Sequence, residues 1–464
     1  METNVSTTSG HTKLTFREKF AYCLGDVGNG FMFDLGQIYL LKFYTDTMGL
    51  KPAYAGLVFL VTKIFDAFAD FSVGMWVDGR KKIGPKGKFR PFMLYGTVPL
   101  GLVTLLSFTN PDFTLDGKLI WAYFTYMLFG LIYSIVNIPY GSLLAAMTQD
   151  PSERAQLAAW RQGGSNAALL ITTVCFMPMI IYMKSTSFGI FGAVAVFAVL
   201  GVALQLVCYA NIKERIVAVP QAAIEKVRHS VGDAIGALGK NGPLLLLCLV
   251  NLLTFSAFNV KLAVQVYYCQ YVLKDVSMLP YMGFFSMGCV FIGVAIVASL
   301  VARLGKKTTF IIGCVTWAIG DLINYFFISN PHLFVAFSCV AFFGSALVNS
   351  LYWAFASDSV EYGEWKTGIR SEGIVYSFFT FNRKLAQAIA GFVPGIVLAW
   401  VGYVANADQT PFALSGIKAL MFIYPGVLAL VTAAIWMSFY RLDEGAYRSI
   451  LSELASRKRF VPSK

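Results

Sequence analysis

Apolar runs of about 20 residues recur along the whole chain, and they constrain its fold more than any other feature. Hydrophobic residues make up 57% of the 464 positions and charged residues only 13%, about half the charged fraction of a soluble domain. Because a run of about 20 apolar residues can cross a bilayer as a helix, the pattern predicts an all-α polytopic membrane protein. We count twelve transmembrane helices, at residues 20–45, 54–77, 92–109, 119–146, 163–183, 188–210, 243–272, 279–302, 308–328, 332–356, 376–403 and 414–440.

The longest polar connection divides these spans into six and six. A weak repeat supports the division, since V-D-G-R-K-K-I-G follows the second span and V-A-R-L-G-K-K follows the eighth. Equivalent basic loops are what a duplicated six-helix unit would leave, although two basic loops can also match by chance. The pattern favours a major facilitator fold, with two six-helix bundles around a central cavity. The predicted parts are a tail (1–16), an N-terminal bundle (17–211), a linker (212–242), a C-terminal bundle (243–440) and a second tail (441–464).

Basic residues predict the orientation. Residues 78–91 hold six Lys or Arg, whereas short loops on the other side hold about one each or none. An excess of Lys and Arg in short loops marks the cytoplasmic side, so both termini are expected in the cytoplasm. The polar N-terminus has no apolar core and is not expected to be a signal peptide. The net charge of +12 therefore reflects topology, and we expect no nucleic-acid partner.

Cysteine and histidine usage argues against several kinds of site. The eight cysteines lie within or beside apolar segments without a Cys-x-x-Cys pair, and the three histidines lie in tails or loops. We therefore expect no disulfide framework, metal site or bound cofactor, and no histidine proton relay in the membrane. The sequence also lacks a hydrolase-like constellation and a signalling extension, which disfavours a membrane enzyme or a sensor.

Three charged residues, Lys63, Asp66 and Asp70, interrupt the second span. Spacings of three and four place them on one helix face. Because an ionised carboxylate in a bilayer is costly, two of them beside a cation indicate a cation or proton pathway. The alternative is a salt-bridged pair that only holds helices together.

Other polar residues at membrane depth are candidates for a ligand site. Lys261 and Lys384 lie too deep to reach the interface and should face a wet cavity or a counter-charge, whereas snorkelling is an alternative for Arg161. A sugar site combines an aromatic face with groups that bind hydroxyls. Singly, each aromatic residue is better explained by packing. The accompanying polar and aromatic candidates are Tyr133, Asn137, Trp353, Thr380 and Gln387.

Five motifs occur in order along the chain: Y-T-D (44–46), D-A-F-A-D (66–70), G-K-F-R-P-F (87–92), N-I-P-Y-G (137–141) and E-Y-G-E-W-K-T-G-I-R-S-E-G (361–373). Together they resemble the glycoside–pentoside–hexuronide:cation symporters of the major facilitator superfamily, over residues 17–448. The resemblance implies a multi-pass transporter of the bacterial inner membrane that works by alternating access. It assigns the coupling cation to Asp66 and Asp70, the cavity lining to Arg161 and Lys384, and the sugar site to Trp353 and Thr380.

Departures from the family pattern indicate which coupling cation and which class of substrate bind. Sodium-using members have an asparagine where Ala69 stands, so a proton is the favoured coupling cation and sodium the alternative. Two carboxylates that read sugar hydroxyls in melibiose permease correspond to Gly30 and Asn137. Their absence, with basic residues retained, suits an anionic ligand that cavity carboxylates would repel. The role of Asp34, in substrate binding or in pairing with a basic residue, stays open.

Further segments resemble sulfoquinovose-type transporters, namely residues 158–164, 259–268, 282–289 and 348–354. We therefore expect proton-coupled symport of sulfoquinovose or a related sulfonated sugar by a monomer in contact with lipid. A glucuronide or hexuronide symporter and an exporter of a small organosulfonate are the alternatives, because sequence does not set the direction of flux. Lys63 would stabilise the ionised acids or occupy their site when it is empty. The 80–90 loop and residues 361–372 are predicted to form the cytoplasmic gate, although topology and lipid contact also explain these charges.

Overall fold

The computed structural model describes residues 13–78, 87–148, 150–183, 189–215, 236, 238–327, 330–368 and 372–459. These residues form long helices, as the apolar runs predict. In chain order the helices are α1 (Phe16–Lys42), α2 (Pro52–Asp78), α3 (Arg90–Ser107), α4 (Leu115–Met147), α5 (Pro151–Met183), α6 (Gly189–Asn211), α7 (Gly242–Tyr267), α8 (Met278–Leu304), α9 (Lys306–Phe327), α10 (Pro331–Thr367), α11 (Glu372–Trp400), α12 (Pro411–Phe439) and α13 (Glu444–Arg459).

Eight of these helices are long and apolar enough to cross a membrane on length and composition alone. Of the other five, α1, α2, α3 and α11 pack in the same bundle, which is consistent with the twelve predicted spans, and α13 follows the last of these spans. Some helices extend beyond those spans, since α10 ends at Thr367 and α5 begins at Pro151. Composition marks only the apolar part of a helix, whereas the backbone hydrogen bonds continue into its polar ends.

Small residues let α1 lie close to its neighbours. A Cβ atom at Gly28 would lie 2.6 Å from the carbonyl oxygen of Gly201 on α6, and one at Gly164 on α5 would lie 2.6 Å from that of Cys23. Side chains at these positions would separate the helices, as is usual where membrane helices pack closely. The glycines therefore position α1 in the interior of the first six helices, α1–α6.

The ends of α1 and α7 repeat one another. Each helix continues into a π-helical turn, at Phe43–Thr47 and Tyr268–Val272. Each turn is followed by a residue with positive φ, Gly49 at 76° and Lys274 at 53°. The shared geometry supports a duplicated unit more strongly than the basic loops do.

Most contacts between the first six helices and the second six, α7–α12, come from three helix pairs: α2 with α11, α5 with α8 and α1 with α7. Near the end where α1 finishes, α2 and α11 almost touch, because a Cβ atom at Gly395 would lie 2.5 Å from the carbonyl oxygen of Pro52. Towards the opposite end, a cleft of about 1190 Å³ separates the same two helices and reaches Asp70 and Lys384. We call the two ends of the bundle the Asp46 end and the Arg90 end.

Candidate functional site

The charged face of α2 is buried at its centre. Lys63 and Asp66 are 4% and 5% exposed, and the Lys63 Nζ lies 3.4 Å from the Asp66 Oδ2. The same Nζ lies 5.2 Å from the ring centroids of Phe33 and Tyr126. One carboxylate and two aromatic faces therefore hold this ammonium group inside the first six helices.

A glycine on α4 provides the space for Asp66. A Cβ atom at Gly130 would lie 1.7 Å from the Asp66 Oδ1, so a larger residue there would displace the carboxylate. This oxygen is buried without a hydrogen-bond partner. It is a free acceptor inside the bundle, which sequence reasoning did not connect with Gly130.

Lys384 reaches from α11 to the acids of α2. Its Nζ forms an ion pair with the Asp70 carboxylate and donates to the backbone carbonyl of Asp66 at 3.2 Å. The Ser134 hydroxyl on α4 donates to the other Asp70 oxygen. The ammonium group of Lys384 thus lies directly beside the Asp70 carboxylate. Sequence reasoning did not predict the contact of Ser134 with Asp70.

Arg161 on α5 pairs with Asp26 on α1. The Nε atom lies 2.8 Å from the Asp26 Oδ2, and the Arg161 side chain stays 29% exposed. The guanidinium also lies over the Tyr140 ring, 4.9 Å from its centroid. Arg161 is therefore held by a carboxylate inside the bundle and does not snorkel to the membrane interface. Sequence reasoning did not predict Asp26 as the partner of Arg161.

Four residues form a half-buried stripe on one face of α1. From residue 25 to 41 every residue is buried except Gly30, Phe33, Asp34 and Gln37, which are partly exposed and share one helix face by their spacing. No side chain fits at position 30 in this packing, because a Cβ atom there would lie 2.4 Å from the Ala168 Cβ. The Asp34 Oδ2 lies 3.6 Å from that Cβ position, so the carboxyl of Asp34 fills the adjoining space.

The polar and aromatic candidates on α4 and α10 contact side chains of α1 and α11. Asn137 accepts a hydrogen bond of 3.4 Å from the Asn29 amide, and the ring of Tyr133 packs at a tilt against that of Phe33, with centroids 5.2 Å apart. Trp353 is 45% exposed, and the Arg383 guanidinium lies 5.7 Å from its ring.

On α11, the two polar candidates lie close to Lys384. Thr380 lines the cleft between α2 and α11. Gln387 is half-buried one turn beyond Arg383. Both therefore lie on the same helix as the lysine that contacts Asp70.

Lys261 lies apart from this group. It forms an ion pair with Asp321 inside the second six helices, with side chains that are 1% and 0% exposed. Trp317 donates to the second Asp321 oxygen at 3.0 Å, and the Phe342 ring lies 4.9 Å from the ammonium group. The sequence predicted either a wet cavity or a counter-charge around Lys261. In the structure Lys261 lies beside a counter-charge, Asp321, and is shielded from solvent.

A polar network, the Asp46 network, closes the Asp46 end. The Asp46 carboxylate accepts hydrogen bonds from the hydroxyl groups of Tyr403 at 2.6 Å and Tyr271 at 2.9 Å, and it pairs with Lys42. Asn406 donates to the Asp46 backbone carbonyl at 2.7 Å. Because Asp46 belongs to the first six helices and its tyrosine and asparagine partners to the second six, the network holds the two groups together.

The gate predicted at the Arg90 end is described only in part, since residues 79–86 and 369–371 lie outside the described residues. Glu361 on α10 accepts a hydrogen bond from Tyr447 on α13. Asp358 pairs with Lys306 at 2.7 Å. These two acids are thus bound by groups that lie in the second half of the chain.

Comparison with known proteins gives one consistent result. A profile described as MFS/sugar transport protein matches residues 21–444. A proposed 2,3-dihydroxypropane-1-sulfonate exporter of Escherichia coli (strain K12) is 48% identical over 448 residues, 96% of this chain and 97% of the relative. A proposed sulfoquinovose importer of the same strain is 48% identical over 446 residues, 96% of this chain and 95% of the relative.

A solved structure shows the same overall fold. It is that of a bacterial homologue of the human drug peptide transporters PepT1 and PepT2, with a TM-score of 0.64 at 15% identity, and it covers 92% of this chain and 98% of that chain.

Proposed function

The chain belongs to the MFS/sugar transport protein family, and from that premise we propose that it is a proton-coupled symporter of an anionic sugar. The favoured substrate is sulfoquinovose or a related sulfonated sugar. The transporter class follows from the family, whereas the anion, the proton and the direction are the proposal.

The position of the Lys384 ammonium group carries this proposal. Lys384 crosses from the second six helices to α2 and pairs with Asp70, while Lys63 pairs with Asp66. Two acids and two lysines therefore neutralise one another. A free cation can bind at Asp70 only when Lys384 moves away, because the site otherwise carries no net charge.

An anionic substrate supplies a reason for that movement. The Lys384 side chain is 21% exposed and that of Arg161 is 29% exposed, so both can reach an anion in the cavity. If Lys384 turns to the anion, Asp70 loses its counter-charge and is stabilised by taking up a proton. Substrate and proton then favour each other's binding, which is the linkage that symport requires.

The remaining candidates suit the sugar ring. Trp353 offers an aromatic face, and the side chains of Tyr133, Asn137, Thr380 and Gln387 supply groups that bind hydroxyls. Alanine at position 69 leaves the acids without an amide oxygen, which supports a proton in preference to sodium.

The charge distribution supports an orientation. The basic segment 78–91 favours the cytoplasm for the Arg90 end, with both termini on that side of a bacterial inner membrane. The cleft at Asp70 then opens to the cytoplasm, and the Asp46 network closes the outer side.

Export of a small organosulfonate is the second candidate function. It is favoured by the 48% identity to the proposed 2,3-dihydroxypropane-1-sulfonate exporter. The same lysine and arginine would neutralise either sulfonate, so the binding site proposed here serves both directions.

A thermal-shift competition on the purified protein tests the substrate class. We expect stabilisation by sulfoquinovose at low pH, a weaker response at high pH and no effect of sodium. Glucuronide is the comparison for a carboxylate, 2,3-dihydroxypropane-1-sulfonate for the shorter sulfonate, and melibiose for a neutral sugar. A preference for melibiose that depends on sodium would contradict the proposal.

The variant Asp70→Asn tests the coupling site in proteoliposomes. We expect uphill accumulation driven by a pH gradient to be lost, because an amide cannot carry the proton. Exchange of labelled for unlabelled substrate should be less affected, since it needs no net proton movement. The same change at Asp66 should act likewise, and unchanged accumulation in both variants would remove these acids from the cation site.

A further inference from the structure

A third carboxyl group, that of Asp34, lies in the half-buried stripe of α1 (Gly30, Phe33, Asp34 and Gln37) and has no counter-charge in the part of the chain that the structure describes. Its Oδ2 is buried and has no hydrogen-bond partner. The four other aspartates deep in the helices are each paired with a basic side chain: Asp26 with Arg161, Asp66 with Lys63, Asp70 with Lys384 and Asp321 with Lys261. Within the described ranges, no ion pair reaches Asp34.

The titratable groups on the surrounding helices are already engaged or uncharged at neutral pH. The basic ones are Arg161, Lys63, Lys384 and Lys261, which are bound to the four aspartates just named, and Arg383 on α11, whose guanidinium lies over the rings of Phe255 and Trp353. The neutral polar groups on α4 are the phenols of Tyr126 and Tyr133. No ion pair among the described residues compensates Asp34, and its Oδ2 lies 3.6 Å from the position that a Cβ atom would take at Gly30 on the same helix.

These surroundings determine which form of the carboxyl group can coexist with an anion. An unpaired carboxylate is costly where it is shielded from water, and it would repel a sulfonate in the same cavity. The neutral acid has an O–H group that can donate a hydrogen bond to an anionic or hydroxyl oxygen. A bound anion consequently favours the protonated form of Asp34.

We propose that Asp34 carries a second coupling proton, which enters and leaves together with the anionic substrate and is distinct from the proton at Asp66 and Asp70. This inference rests on the proposed function, because it requires an anionic substrate. It assigns to Asp34 the role of a donor towards the substrate, in the space next to Gly30.

A second proton would allow the membrane potential to drive uptake of an anionic substrate. A monoanion that travels with one proton moves no net charge, so the membrane potential cannot drive its uptake. With a second proton the complex carries one net positive charge, and an inside-negative potential then favours import. The proton on Asp34 is taken from the outer solution with the substrate and released to the cytoplasm with it.

The test compares wild-type protein with Asp34→Asn in proteoliposomes whose potential is set with potassium and valinomycin. The probe is sulfoquinovose, and the measurement is the net charge moved per substrate. We expect about one positive charge per sulfonate for wild-type protein and none for Asp34→Asn. Substrate exchange should be weakened but retained in the variant, because an asparagine amide can replace the neutral acid as a donor but binds the substrate with altered geometry.

Substrate affinity is the second readout. For wild-type protein we expect the Kd for sulfoquinovose to rise by up to about tenfold per pH unit for each proton that is linked to binding. In Asp34→Asn the slope of log Kd against pH should fall by about one, because one proton fewer is linked to binding. Asp112→Asn is the matched control, since Asp112 is an exposed acid between α3 and α4, and it should behave as wild type.

The outcomes separate the two proposals. Wild-type charge movement and pH slope in Asp34→Asn would overturn the role of Asp34, and so would a wild-type protein that moves no net charge with sulfoquinovose. A wild-type protein that binds and transports no anionic sugar would overturn the proposed function, and the Asp34 proposal with it. Loss of exchange in Asp34→Asn would also contradict the inference, because the amide should replace the neutral acid as a donor.

Discussion

The pairs Lys384–Asp70 and Lys261–Asp321 consist of the same two residue types, but they lie in different parts of the molecule. Lys261 and Asp321 join α7 to α9 within the second six helices, with side chains 1% and 0% exposed. Lys384 and Asp70 join the second six helices to the first, with side chains 21% and 28% exposed. One pair is enclosed in a packed core, and the other lies at the boundary between the first six helices and the second six.

This difference in surroundings determines what each pair can do. A buried ion pair that loses one partner leaves an uncompensated charge, which costs about 3–5 kcal/mol. A pair that borders a cavity can exchange its partner for water, a ligand or a proton at lower cost. The comparison therefore assigns a structural role to Lys261 and an exchangeable one to Lys384.

The variant Lys261→Met gives the largest effect that we expect. It leaves Asp321 without its cation in the core, so the protein should lose about 3–5 kcal/mol of stability, measured as a lower Tm and a lower yield of purified protein. The double variant Lys261→Met/Asp321→Leu should recover most of the loss, because it removes both charges. A double variant as unstable as the single one would mean that the pair is not the reason for the instability.

Lys384→Met should have the opposite profile. The fold should be retained with a Tm near that of wild type. Asp70 lines the cleft between α2 and α11, and its carboxylate still accepts a hydrogen bond from the Ser134 hydroxyl. Binding of a sulfonated sugar should weaken by about 1.5–3 kcal/mol, the usual contribution of a hydrogen bond to a charged group. Isothermal titration with sulfoquinovose measures this loss. A Tm lowered as far as that of Lys261→Met, or an unchanged affinity for the sulfonated sugar, would erase the distinction between the two lysines.

Much of the fold could be predicted from the sequence, because a bilayer imposes a strong requirement on composition. Every predicted span coincides with a helix in the described residues, since each crossing needs about 20 apolar residues. The polar ends of α5 and α10 were missed for the same reason, as they extend beyond the apolar part. The π-helical turns after α1 and α7 have no compositional signature, so the clearest sign of the internal repeat appears only in the structure.

The candidate site was predictable within a helix but not between helices. The spacing of Lys63, Asp66 and Asp70 is enough to place them on one face, and the structure shows Lys63 beside Asp66. Depth alone could not tell which aspartate lies opposite Lys261 or Lys384, because that choice depends on how distant segments pack. The role of Gly130 is likewise a property of α4 lying against α2, and no local pattern predicts it.

The smallest effect that we predict concerns the Asp46 network, which joins the two groups of helices with neutral donors as well as charges. Tyr403→Phe removes the hydroxyl group that donates to Asp46 at 2.6 Å. We expect a cost of about 1 kcal/mol, below the range for a hydrogen bond to a charged group, because Tyr271 and Lys42 still bind the carboxylate. Because the bond exists only while the Asp46 end is closed, its loss should favour opening of that end by roughly fivefold.

Tyr424→Phe is the matched control, since the Tyr424 hydroxyl contacts Ser256 at 3.2 Å inside the second six helices. Electron–electron distance measurements between spin labels at the Asp46 ends of α2 and α11 should show a larger open population in Tyr403→Phe and none of this shift in Tyr424→Phe. Equal shifts in both variants would mean that the hydroxyl groups stabilise packing in general, and that the boundary between the two groups of helices has no special role in holding this state.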